Sequence, residues 1–264
     1  MRYTIQAACG CDIGRVRRNN EDNFFFHGQY LEADNDGIKD TICIDNTLKH
    51  GTCYAIFDGM GGENFGEVAS HAAAFHMLSQ MRNRNWFGYL TAKKKYLYRM
   101  VQQLNGAVLK AKRDLCTSHM GCTMVSLYFS GMHAFVCNVG DSRAYRVSAG
   151  KIEQLSVDHL EKRPGVRKAP LTQYLGIDEE EMLLMPHIAK AELKRGDWYL
   201  LCSDGLTDMV TASEIADIMV NCDDAQTCVR KLIGAALERG GRDNITVIVC
   251  KVEKNRRGYG KKSK

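Results

Sequence analysis

No apolar run in the 264 residues reaches membrane-spanning length, and the N-terminal Met-Arg-Tyr-Thr-Ile-Gln has no long apolar segment, so neither a spanning helix nor export is expected. Prolines number three (Pro164, Pro170 and Pro186), and no Ser/Gly-rich linker, low-complexity tract or clear internal repeat divides the chain. A single large domain is expected, long enough to bury a substantial core. No Cys-x-x-Cys pair occurs among the 11 cysteines, and several (Cys53, Cys137, Cys202, Cys250) sit in apolar runs. That usage argues against zinc and disulfide scaffolds and for reduced, buried thiols in a cytoplasmic protein; Cys9-x-Cys11 is too sparse to read as a metal site. Acids are missing from residues 254–264, which hold Lys254, Arg256, Arg257, Lys261, Lys262 and Lys264. These six cations account for the net charge of +5, so the remaining chain is near neutral. The tail is expected to be a disordered, solvated end rather than a nucleic-acid arm, and a monomer that binds neither nucleic acid nor membrane is expected.

The stretch that organises the rest is Tyr54-Ala-Ile-Phe-Asp58-Gly59-Met60-Gly61-Gly62. A short apolar run ends on a carboxylate, and three of the next four residues are glycines that permit a sharp turn or a close approach to a ligand. Phe65, Val68, Ala69, Ala72, Ala73 and His76 then repeat at helical spacing in a pattern starting at Glu63, which places Asp58 at a strand tip against a packed helix. The plainer reading is an Asp-Gly turn.

Upstream, Tyr3–Ala8 and Phe24–Phe26 read as strands around a polar connection, Gly14 to Asp22, in which Glu21 and Asp22 follow a group of arginines. This could be a surface salt-bridge cluster or a cation site beside an anion site. Downstream, Leu97, Met100, Val101, Leu104, Val108, Ala111 and Leu115 form the stripe of a second helix, from about Thr91 to Cys116. Strands follow at Cys122–Phe129, His133–Asn138 and Ser142–Val147, with Asp141 between the last two and an Ala149-Gly150 hairpin turn into Lys151–Leu155. A polar, irregular loop begins at Val157. Trp198 to Gly205 repeats the plan of Tyr54 to Gly59, an apolar strand, an acid (Asp204) and a glycine. Helices at Ala212–Asn221 and Asp224–Arg239 precede Arg242-Asp243-Asn244 and a strand at Ile245–Val252.

Acids therefore abut strands at Glu21/Asp22, Asp58, Asp141, Asp204 and Asp243, and a sheet gathers strand ends at one edge. Crowded carboxylates repel one another unless cations neutralise them. Oxygen donors without paired His or Cys favour Mg²⁺ or Mn²⁺, and two such ions could activate a shared water and stabilise charge on a phosphoryl group.

Gly14-x-x-Arg17-x-x-Asn20-Glu21-Asp22, Asp58-Gly59-Met60-Gly61-Gly62, Gly140-Asp141-Ser142-Arg143, Ser203-Asp204-Gly205-Leu206-Thr207-Asp208 and Gly241-Arg242-Asp243-Asn244 occur in the order and rough spacing of the metal-dependent protein phosphatase 2C family. The chain resembles its bacterial branch from about Tyr3 to Val252. The resemblance implies an α+β fold, a central sandwich of two antiparallel β-sheets flanked on both sides by antiparallel α-helices. It implies one catalytic domain over residues 1–253, with a short flap near 157–176. The implied activity is that of a protein serine/threonine phosphatase, hydrolysing phosphoserine and phosphothreonine by a water bridging two Mn²⁺ or Mg²⁺ ions, without a covalent intermediate. Substrates would be phosphoproteins made by serine/threonine kinases. Asp58 matches the bridging ligand and Gly59 a carbonyl ligand; Asp204 and Asp243 match ligands of the first ion, and Glu21 and Asp22 serve the second. Asp141, with Asp204, matches a weaker third site, the alternative being a turn residue paired with Arg143. Arg17 matches the phosphate clamp, and catalysis falls to Arg17, Asp58 and Asp204. Two departures stand out. Met60 replaces a His found in many relatives, so the leaving group needs another proton donor, and the flap is shorter than usual. His159 reads as structural, and Asn244 as a hydrogen-bonding brace. A phosphoprotein-binding module of the same fold and a nucleotide-binding loop at Gly59–Gly62 are the competing readings; the loop lacks the P-loop ending and the G-x-G-x-x-G spacing.

Overall fold

The computed structural model describes residues 3–47, 52–60, 65–82, 90–161, 169–178 and 180–254. Gly61 and Gly62, the expected helix start at Glu63, the middle of the flap and the tail beyond residue 254 lie outside the described residues.

Among the described residues, twelve strands form two antiparallel sheets. The first sheet contains β1 (Tyr3–Asp12), β3 (Ile42–Thr47), β8 (Arg143–Ser148), β9 (Lys151–Gln154), β11 (Trp198–Cys202) and β12 (Ile245–Lys254), in the order β3-β1-β12-β11-β8-β9. The second contains β2 (Asp22–Phe26), β4 (Thr52–Met60), β6 (Met124–Ser130), β7 (His133–Val139) and β10 (His187–Glu192), in the order β10-β7-β6-β4-β2. The short β5 (Gly121–Cys122) pairs with the end of β4.

The inner strands read as nearly continuous apolar runs because both of their faces are covered. In β4, Tyr54 and Ile56 join Phe24, Phe26 and Phe129 in the core between the sheets. The alternate residues Cys53, Ala55 and Phe57 face α1 (Gly66–Arg82) and α2 (Leu90–Asp114). A third core on the far side of the first sheet packs Leu200, Val247 and Val249 against the short α3 (Asp204–Thr207), α4 (Ala212–Val220) and α5 (Ala225–Glu238). The layers are helices, sheet, sheet, helices, as the resemblance implies. The starts of α4 and α5 are capped in the ordinary way, by a Thr211/Glu214 capping box and by Asp224.

Some expectations need correction. β4 does not stop before Asp58: it continues to Met60, with Asp22 opposite Asp58 on one side, while on the other its pairing passes from β6 (Ile56 opposite Val125) to β5 (Gly59 opposite Cys122). Asp58 thus lies within a strand where two partners meet, not at a tip or in an Asp-Gly turn. On α1 the core face is Ala69, Ala73, Ala74 and Met77, whereas His76 is only half-buried, its ring 3.2 Å from Gln80 Nε2. The α2 stripe is as expected through Val108, but Leu115 lies past the helix and is 41% exposed. β3 and β10 had no clear pattern in the chain, because as edge strands they carry exposed and half-buried polar residues.

Topology positions the functional end. The starts of β2, β8 and β12 and the ends of β4, β7 and β11 lie together at one end of the sandwich, and the acids singled out above stand in or beside them.

Candidate metal centre

The connection from Gly14 to Glu21 is tied to the segment preceding β12. The Asn244 side chain accepts from the Glu21 backbone N–H (2.8 Å) and donates to the carbonyls of Ile13 (2.9 Å) and Asn19 (3.0 Å), so it is a clasp between two loops. Gly14 adopts φ +85°, and a Cβ there would come 2.3 Å from the Asp243 carbonyl. At Gly59, whose N–H donates to the Glu21 carbonyl (3.0 Å), a Cβ would meet the Gly66 carbonyl at 2.2 Å. These two glycines let three backbone segments approach closely enough to bring Glu21, Asp58 and Asp243 together.

The result is a cavity of about 330 Å³ lined by Glu21, Asp58, Gly59, Asp141, Asp204 and Asp243, together with Arg17, Met60 and Thr123. Six of the seven expected ligands therefore share one cavity. The seventh, Asp22, lies behind it: the side chain is almost fully buried, and its Oδ2 accepts hydrogen bonds from Ser203 Oγ and Thr246 Oγ1, both at 2.7 Å. Another surface hollow of about 300 Å³, between β1, β3 and the start of α5, has just two acids in its described lining, Asp45 and Asp224, and Asp224 is occupied in capping α5. The concentration of acids, rather than volume, distinguishes the first cavity.

Electrostatics follow from crowding. Burial, then the charges of Asp204, Asp22, Asp141 and Asp243, push the Asp58 carboxyl well above the usual carboxylate range. Burial likewise raises Asp22 to about 7, with the Asp204 and Asp243 charges adding to the rise and the Thr246 and Ser203 hydroxyls opposing it. Glu21 is raised mainly by burial, and Arg17 offsets part of that shift. Arg17 Nη2 lies 2.7 Å from Asp243 Oδ2, so the expected phosphate clamp stands at the cavity but is paired with one of the expected ligands.

Several side chains contribute without having been singled out in the chain. Thr123 accepts from the Asp58 N–H (3.2 Å), donates its own N–H to the Asp58 carbonyl (2.8 Å), and has its Oγ1 2.6 Å from Ser142 Oγ, beside Asp141. It ties the strand of Asp58 to the turn of Asp141. Thr123, Ser203 and Thr246 are hydroxyls within or beside apolar strands; a lone polar residue at a strand end was their signal. The Arg143 guanidinium is taken by Asp158, at 2.9 Å from Nε and 2.7 Å from Nη2, which weighs against pairing with Asp141. His159 holds the base of the flap: its Nδ1 accepts from the Gly140 N–H (3.1 Å), and its backbone bonds to Gly140 and Thr172. Ala169 and Leu171, beyond the undescribed middle of the flap, also line the cavity.

Among the described residues, no three Asp, Glu, His or Cys side chains converge on one ion-sized position. Two partnerships hold carboxylates back, Asp243 with Arg17 and Asp22 with its two hydroxyls. By donor type, charge and location the group nevertheless fits a hard divalent cation: oxygen donors only, partly buried, with raised carboxyl pKa values that a cation would reverse.

Comparison with known proteins points the same way. The family model for protein phosphatase 2C matches residues 10–165. The serine/threonine phosphatase stp of Listeria welshimeri is 31% identical over 264 aligned residues, covering 92% of this chain and 94% of stp. The serine/threonine protein phosphatase PstP of Mycobacterium tuberculosis is 30% identical; the match covers 94% of this chain and 45% of PstP. The crystal structure of M. tuberculosis PstP superposes with a TM-score of 0.75 at 27% identity, covering 95% of this chain and 99% of that one. The catalytic domain of PstP in complex with two manganese ions gives a TM-score of 0.74 at 28% identity, with the same coverage of both chains.

Proposed function

Because the chain belongs to the protein phosphatase 2C family and is a protein serine/threonine phosphatase, we propose that the carboxylate cavity is its catalytic centre and that water, not a side chain, attacks the phosphoryl group. The gathering of six expected ligands in one cavity, with Asp22 directly behind, carries this reading. The family is metal-dependent, and a relative of this fold binds two manganese ions. Two Mn²⁺ or Mg²⁺ ions, when bound, supply activation of a water and neutralisation of charge on the transferred phosphoryl group. Asp58 would serve both; the Gly59 carbonyl, Asp204 and Asp243 would complete the sites, with Glu21 and Asp22 on the second ion's side. Asp141 with Asp204 would hold a weaker third ion, because an ion sharing a ligand with a filled site is repelled by its neighbour.

The remaining roles belong to the chain itself. Arg17 offers a planar fork to the phosphoryl oxygens. Its pairing with Asp243 keeps the fork at the cavity until a stronger partnership replaces it. Thr123 and Asn244 fix the backbones of Asp58 and Glu21, so the main chain at these two acids needs little reorganisation on binding and the adjustment falls to side chains. Met60, which lines the cavity, has no proton to give, so protonation of the leaving oxygen falls to another group there. The proposed substrates are phosphoproteins made by serine/threonine kinases, handled by a cytoplasmic monomer through one catalytic domain over 1–253. No described helix is long and apolar enough to cross a membrane.

Turnover of phosphothreonine peptides and para-nitrophenyl phosphate with Mn²⁺, with and without chelator, tests the reading. Chelator-sensitive hydrolysis that disappears in Asp58→Asn is expected. Turnover by Asp58→Asn at the wild-type rate with saturating Mn²⁺ would remove the assignment.

A further inference from the structure

Part of the cavity's described rim is strongly cationic. There the loop after Gly14 presents Arg15, Arg17 and Arg18, and the segment beside it presents Arg242; all four are exposed. The described flap residues that line the cavity, Ala169 and Leu171, are uncharged. The chain is near neutral apart from the six cations of residues 254–264, so among the described residues these four arginines form a local concentration of positive charge.

We propose that this arginine rim selects phosphoserine and phosphothreonine substrates whose flanking residues are anionic, an inference that rests on the phosphatase reading above. Arg17 faces the acids inside the cavity and is paired with Asp243. The other three have no such duty. Arg15 Nε donates to the Leu237 carbonyl (2.9 Å), and among the described residues neither Arg18 nor Arg242 has a carboxylate partner. Cations left this way beside a site for a phosphorylated residue have charge to offer a bound peptide. Val16, between Arg15 and Arg17, is 64% exposed, an apolar residue displayed among arginines as in many protein interfaces.

The rim is also preset. The Arg15 N–H donates to the Gly241 carbonyl at 2.7 Å, and a Cβ on Gly241, itself at φ +46°, would come within 3.3 Å of Arg15 N. Asn244 joins the same two segments. The backbones carrying the arginines are fixed before a peptide arrives, so mainly side-chain freedom is lost on binding. Because Arg18 is adjacent to Arg17, and an extended peptide advances roughly 3.3 Å per residue, anions within about three residues of the phosphorylated one lie within reach. Carboxylates and a second phosphoryl group share this chemistry.

Initial rates at low ionic strength with Mn²⁺ test the rim. Phosphothreonine peptides of equal length would carry Asp/Glu, a second phosphoserine, Ala or Lys on their flanks, with para-nitrophenyl phosphate as a flankless control. KM should be about tenfold lower with anionic flanks than with Ala, from a few exposed charge pairs. The gap should narrow at about 0.5 M salt. A lower KM in either anionic arm supports the rim, and the larger effect identifies its preferred anion. In Arg18→Ala/Arg242→Ala the gap should shrink to about twofold, with para-nitrophenyl phosphate kinetics and melting temperature unchanged. In Arg18→Glu/Arg242→Glu the preference should move to the Lys-flanked peptide. Equal KM across flanks in the wild type, or an undiminished gap in the double Ala variant, overturns the proposal. Absence of para-nitrophenyl phosphate turnover would instead sink the phosphatase reading, and the rim with it.

Discussion

Asp22 and Asp58 face each other across the β2–β4 register, and both carboxyls are raised by burial and by neighbouring acids. A folded pKa above the unfolded value means that ionisation costs more in the folded chain. Stability from these groups is greatest below the ordinary value of 3.8 and is lost as pH climbs towards the folded value, about 7 for Asp22. The chelated protein should therefore lose melting temperature between about pH 5 and pH 8, and the stabilisation by added Mn²⁺ should grow over the same range. A melting temperature that is level or rising over that span in chelator would show that these acids are not held together at their own cost. Asp58→Asn separates function from stability: it should abolish turnover, yet melt at or above the chelated wild type because one repelling charge is gone. Calorimetry beside the rate assay checks both halves, and a clearly lower melting temperature would contradict the repulsion. The acids were legible in the chain because each abuts an apolar run and most have Gly, Asn or Ser beside them. The hydroxyls that hold them were not, since Thr123 and Thr246 read as ordinary strand formers.

At the scale of elements, β4 and α1 meet where two glycines allow backbone contact, and α2 carries a glycine with no such duty. Gly59→Ala would drive a Cβ to 2.2 Å from the Gly66 carbonyl and 2.6 Å from the Glu21 carbonyl, with backbone rather than flexible side chain in the way. A loss of about 2 kcal/mol or more is expected, together with weaker Mn²⁺ binding as Glu21 is displaced. Gly106→Ala, in α2 with nothing within 4 Å of the added Cβ, should stabilise by roughly 0.5–1 kcal/mol. Urea midpoints for the pair decide the matter: equal shifts would mean that the β4–α1 approach is looser than drawn. Elements with both faces or one stripe buried were legible from period alone, as with β6, β11, α2 and α5. The edge strands β3 and β10 were not, because half of each faces solvent and the apolar alternation fades.

For the molecule as a whole, the acids are divided between the sheets. Asp22 and Asp58 belong to the second, Asp204 and Asp243 adjoin strands of the first, and Asp141 sits in the turn joining β7 to β8. An ion held between them would fasten one sheet to the other. Mn²⁺ should raise the melting temperature in a concentration-dependent way and slow amide exchange at the ends of both β4 and β11. Protection confined to one sheet would place the ion elsewhere. None of this division was readable from pattern, since strand order depends on pairings such as β1 with β12, drawn from opposite ends of the sequence; the resemblance supplied the two-sheet sandwich but not which sheet carries which acid. That same pairing has a geometric outcome for anything joined to the chain. Tyr3 lies opposite Lys254 at one end of a ten-residue ladder, and Asp12 lies opposite Ile245 at the other, beside the cavity. At about 3.4 Å per residue the two described ends emerge together, some 30 Å along the strands from the catalytic mouth. A tether, label or fused domain joined directly at Tyr3 or Lys254 would therefore start from one and the same side of the described body, the side away from the mouth.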